Sequence, residues 1–112
     1  MDTSYEALLR RLYQGDRALS RNRNFWLYEQ PAMRRAARSF RRLKSVERDL
    51  LRYGPQGQVT VEVVGDSSWL RVVIASPNYR RVTRLSWAEV TLLHEHPGLK
   101  GVLPEPALGL GA

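Results

Sequence analysis

Cysteine is absent from the chain. That removes disulfides, thiolate nucleophiles and cysteine-ligated metal centres, and it fits a cytoplasmic, reducing compartment. Long apolar runs are missing as well: no stretch approaches the ~18 residues needed to cross a bilayer. The start, with Asp2 and Glu6 ahead of Arg10 and Arg11, lacks the basic-then-apolar plan of a secretory signal. Also missing are a glycine-rich phosphate loop, a His-Glu-x-x-His pair and a Gly-x-Ser-x-Gly elbow, so no conventional enzyme, catalytic residue, metal or cofactor is expected. Lysine is scarce, since 16 of the 18 basic residues are arginine. The planar, forked guanidinium suits phosphate and carboxylate oxygens.

What is present is enough for one compact domain. The 112 residues are 43% hydrophobic, with three Trp, five Tyr and two Phe, a composition that argues for a core and against disorder. The charge is uneven. Residues 1–53 carry 13 basic and 6 acidic side chains and so account for the whole net +7, while residues 54–112 balance 5 against 5. Only the first part should attract a polyanion.

Thr3-Ser4-Tyr5-Glu6 reads as a capping box, followed by Tyr5, Leu8, Leu9, Leu12 and Tyr13 at helical spacing and a glycine stop at Gly15. A first helix is predicted over about residues 4–14. Residues 16–30 form a connector with a helical turn. Its Phe25, Trp26, Leu27 and Tyr28 either anchor it in the core or stack on bases or a partner.

Pro31 opens a second helix that Gly54-Pro55 ends. At 100° per residue, Met33, Ala36, Phe40, Leu43, Val46, Leu50 and Leu51 share one arc, and Arg34, Arg38, Arg41, Arg48 and Arg52 lie opposite. Arg35, Arg42 and Lys44 flank this ridge, with Glu47 and Asp49 the helix's only acids.

Residues 58–64 and 69–75 alternate as strands around a Gly-Asp-Ser-Ser turn, and 79–85 follow as a third. Arg71, Arg80, Arg81 and Arg84, with Trp69 and Tyr79 near them in sequence, give the sheet a second basic set. Arginine interleaved with aromatics is one way to hold a single strand. Ser86-Trp87-Ala88-Glu89 is another capping box, opening a short helix whose Trp87, Val90 and Leu93 or His94 should face the sheet. His94 and His96 point about 200° apart on a helix, so no metal site is expected.

The fold class is therefore α+β: an N-terminal helical hairpin, a three-stranded antiparallel sheet, a short C-terminal helix and an extended tail. Residues 1–98 form the domain, with 1–53 its basic helical part and 58–96 its sheet and helix. Residues 99–112, rich in proline and glycine, form the tail. In coarse element order the chain resembles small RelE-type ribonuclease toxins, whose basic sheet cleaves RNA, and as loosely the sheet-and-helix single-strand binders of the Pur-alpha or Whirly kind. The likeness is topological, without their residue motifs, so no catalytic position carries over.

Non-catalytic binding of DNA or RNA with low sequence specificity is the expected function, through Arg34, Arg38, Arg41, Arg48 and Arg52 and the sheet's Arg71, Arg80, Arg81 and Arg84. A second reading is a protein-protein adaptor or regulatory subunit, with a homo-oligomer as one form, docking through the second helix or through Leu99, Val102, Leu103, Leu108 and Leu110, with the ridge steering an acidic partner. A third is a metal-independent ribonuclease using Arg81, Arg84 or His94.

Overall fold

The computed structural model describes residues 4–26, 30–56, 60–66, 69–105 and 107–108. By internal contacts it divides into two units, Met1–Lys44 and Ser45–Ala112. The division falls inside the long helix, not at the glycine and proline that end it.

In the first unit, α1 (Tyr5–Tyr13) starts on Ser4, whose hydroxyl accepts from the Ala7 N–H. Ser4 is thus the cap; Thr3, the other hydroxyl of the expected capping box, lies outside the described residues. Gly15 then turns the chain at φ +86°, a left-handed conformation that glycine adopts without a Cβ penalty. The connector holds two single turns, α2 (Arg17–Ser20) and α3 (Arg23–Trp26). Each has its own side-chain cap: Asp16 accepts from Leu19 N–H at 2.8 Å and Asn22 from Phe25 N–H at 3.2 Å. Capping explains how such short turns persist where no apolar period supports them.

Phe25 is fully buried, so the connector's phenylalanine anchors the core. Leu27 and Tyr28 lie outside the described residues. Leu8, Leu9, Leu12, Leu19, Ala36, Ala37 and Leu43 complete this core. Buried Ser39 is satisfied by the Tyr5 hydroxyl at 2.6 Å, and Lys44 lies over the Tyr13 ring. These contacts run in the same order along α1 and α4, and the chain returns between them through α2 and α3.

The long helix α4 spans Pro31–Tyr53, as its proline start and glycine stop dictate. Its Ser45–Tyr53 stretch belongs to the second unit, where Val46 and Leu50 are buried. Met33 and Phe40 are only half-buried, and Leu51 is exposed. The apolar arc is thus narrower than the sequence period implies.

β1 (Thr60–Asp66), β2 (Trp69–Ser76) and β3 (Tyr79–Leu85) form the antiparallel sheet. Val63, Leu70, Val72, Ile74 and Leu85 are buried, and the register puts them on one face. α5 (Trp87–Glu95) opens with the Ser86/Glu89 capping box as expected. It buries Val90, Leu92 and Leu93. Trp87, expected to face the sheet, is instead exposed, because at 100° per residue it lies away from the arc that Glu89, Val90, Leu92 and Leu93 bury.

The tail needs correction. Leu99 and Leu103 are buried as deeply as any core leucine. A 3-10 turn at Pro97–Leu99 folds them back, and β4 (Ala107–Leu108) adds to β1 in parallel, giving the order β3-β2-β1-β4. Two buried leucines exclude about 1.5–3 kcal/mol worth of apolar surface each from water, which outweighs the flexibility that prolines and glycines suggest. Residues 109–112, including Leu110, lie outside the described residues. Among those described, no helix is long and apolar enough to cross a membrane.

Candidate nucleic-acid interface

Every arginine of the α4 ridge is exposed: Arg34, Arg38 and Arg41 on the first unit's part of the helix, Arg48 and Arg52 on the second's. Arg34, Arg38 and Arg48 make no ion pair among the described residues. Aromatic faces hold the other two: the Arg41 guanidinium carbon lies 5.6 Å from the centre of the Trp26 ring and that of Arg52 5.4 Å from Tyr53. Flanking Arg35 sits closer still, 4.4 Å over Tyr5. Stacking keeps the charge while limiting side-chain freedom, so less entropy is lost when the fork meets an anion.

The two acids of α4 turn away from this ridge. Glu47 is buried, with Oε1 3.8 Å from Nε2 of His96. Asp49 accepts from the Tyr79 hydroxyl at 2.7 Å and from Arg81 Nη1 at 2.9 Å, and the same Arg81 nitrogen also donates to the Ser45 hydroxyl. The carboxylate holds the Tyr79 hydroxyl above its ordinary pKa, first by accepting its hydrogen and then because the phenol is partly desolvated. Both carboxylates serve internal contacts.

Arg81 therefore leaves the expected binding set. Side chains alternate along a strand, so Tyr79 and Arg81 share the face packed by α4, whereas Arg80 and Arg84 are exposed on the other. The register builds that open face in rows across β3, β2 and β1: Arg80, Ala75 and Thr60; then Val82, Val73 and Glu62; then Arg84, Arg71 and Val64; with Trp69 opposite Asp66 at the end. Trp69 and Val82 are 46% and 51% exposed, too open for core residues. Arg71 has one partial partner, Glu62 at 3.8 Å.

No group of three His, Cys, Asp or Glu side chains able to hold a metal occurs among the described residues. His96 is tied instead to Gly98, whose N–H donates to Nδ1 at 3.0 Å, and to Glu47. Arg81 and Arg84, named for RNA cleavage, stand on opposite faces of β3 and so do not meet at one phosphate. The apolar docking segment is equally dispersed: Leu99 and Leu103 are in the core, and Val102 lies against Gly54. Sequence reasoning missed the Ser45-Asp49-Tyr79-Arg81 cluster. Strand parity was the available signal, since it places Tyr79 with Arg81 and apart from Arg80. No family model, curated protein or solved structure matches the chain.

Proposed function

We propose that this protein binds nucleic acid without catalysis, through phosphate contacts from α4 and with low sequence specificity. The observation that carries the reading is that Arg34, Arg38, Arg48 and Arg52 are exposed and make no ion pair among the described residues, while Glu47 and Asp49 serve contacts with His96, Tyr79 and Arg81. Guanidinium groups without an internal counter-charge release condensed cations when they meet a phosphate backbone, and that release drives sequence-independent binding. A cytoplasmic location, consistent with the lack of cysteine, belongs to the same proposal.

Gel-shift titrations with single- and double-stranded DNA and RNA at two or more salt concentrations test it. Replacing Arg34, Arg38 and Arg48 together with glutamine should weaken binding and lower the slope of log K against log salt by about 2–3, from about 0.9 per lost duplex phosphate contact. An unchanged isotherm would remove α4 from the interface.

A further inference from the structure

We infer that the open face of the sheet is a binding surface for single-stranded nucleic acid, with a base stacked on Trp69 and phosphates held by Arg71, Arg84 and Arg80. The inference rests on the nucleic-acid reading above and adds the form of nucleic acid this face takes.

Three features carry it. Arg71 and Arg84 are direct register partners across β2 and β3, and like charges directly opposite each other destabilise a strand pair. Glu62 relieves Arg71 only in part, at 3.8 Å with both side chains more than half exposed. Arg84 and Arg80 have no ion pair among the described residues. A phosphate between the opposed guanidiniums would turn their repulsion into a two-sided clamp.

The apolar part of the face is the second feature. Trp69 lies two residues from Arg71 on the same strand and side, about 7 Å along it, and is 46% exposed. Val82, in the row on the other side of Arg71 and Arg84, is 51% exposed. Indole beside guanidinium offers a π-face for a base and a charge for its phosphate.

Third, the charge is graded across the sheet. Arginines line β3, an edge strand, while Glu62 and Asp66 stand at register positions on β1. A polyanion is drawn to the β3 side, where Arg80 and Arg84 are four residues, about 13 Å, apart. A duplex would meet this face with phosphates alone, because its bases are stacked inside. An unpaired base can reach Trp69.

The test uses the full chain, an oligouridine of about 15 nucleotides and a duplex of equal length, each titrated by tryptophan fluorescence and anisotropy. Wild type is expected to bind the oligouridine with quenching that disappears in Trp69→Leu. That variant should lose about tenfold in single-strand affinity and leave duplex affinity unchanged, while Trp69→Phe retains most of the binding because it keeps a π-face. Arg84→Gln should lower the single-strand salt slope by about 0.7. Circular dichroism matching the wild type confirms that each variant folds, and Trp69→Phe supplies the folded control should Trp69→Leu not fold. Wild-type oligouridine affinity in both Trp69→Leu and Arg84→Gln would overturn the inference. The α4 reading would then survive, provided the triple glutamine variant still loses binding. Equal losses for duplex and single strand in Trp69→Leu would overturn the single-strand assignment. Failure of the wild type to bind any oligonucleotide, with or without binding to anionic vesicles, would end both proposals.

Discussion

Asp49 of α4 accepts the hydroxyl hydrogen of Tyr79 on β3 at 2.7 Å, and Arg81 joins them from two residues along the same strand. This carboxylate fastens the helix to the sheet edge and faces inward, while Arg48 and Arg52 beside it make no ion pair among the described residues. A single residue thus links the stability of the second unit to the electrostatics of the proposed interface. Hydrogen bonds to charged groups contribute about 1.5–3 kcal/mol, so Tyr79→Phe should lower the urea midpoint measurably at neutral pH.

The same contact has an alkaline signature. The Tyr79 hydroxyl is held above its ordinary value of 10.0 by its hydrogen bond to Asp49. A group whose folded pKa is raised contributes stability below its unfolded value, and loses it as pH rises through the folded one. The stability gap between wild type and Tyr79→Phe should therefore be constant up to about pH 10 and close above it. Ultraviolet titration of the phenols, compared between the two proteins, should show Tyr79 among the last to ionise.

Asp16 behaves in the opposite sense. Its carboxyl is lowered below 3.8, first by the Leu19 N–H and then by Arg11, whose Nη2 lies 2.8 Å away. A lowered folded pKa means the contribution is present above the ordinary value and is lost as pH falls through the folded one. Asp16→Ala should reduce the melting temperature at pH 7, and the difference from wild type should shrink progressively as the pH falls below 3.8 and through the lower folded-state value. A gap that persists at low pH would mean the aspartate acts through something other than its charge.

Burial of the C-terminal segment predicts a cost that a free tail would not incur. Leu103 is 2% exposed, and leucine-to-alanine changes at such sites cost about 2–5 kcal/mol through lost burial and the cavity left behind. Chemical denaturation of Leu103→Ala checks this, with Lys100→Ala, an exposed neighbour, as the near-neutral control.

A close approach after α4 gives a paired prediction. A Cβ at Gly54 would overlap Cγ1 of Val102, well inside contact, and valine's branched side chain has little freedom to withdraw. Gly54→Ala should cost about 1–3 kcal/mol by overpacking, and Gly54→Ala with Val102→Ala should recover part of it in a double-mutant cycle.

The ridge arginines should act as charge more than as geometry if sequence specificity is low. Replacing Arg34, Arg38 and Arg48 with lysine is expected to keep the salt slope of binding within about 0.5, where glutamine lowers it by about 2–3. Salt-dependent gel shifts on all three proteins separate the two cases.

The sequence alone determined the features whose cause is local. Pro31 and Gly54 bracket α4, Ser86 with Glu89 starts α5, and 100° spacing separates Arg34, Arg38, Arg41, Arg48 and Arg52 from Ala36, Leu43, Val46 and Leu50. Caps and periodicity act over a few residues, so they can be read without a partner element. Only the tertiary structure decided the rest. It placed Arg81 inward with Asp49 and Arg84 outward opposite Arg71, because strand register depends on which face another element covers. It also drew Leu99 and Leu103 out of a proline- and glycine-rich tail into the core, because burial of apolar surface is non-directional and can outweigh local composition.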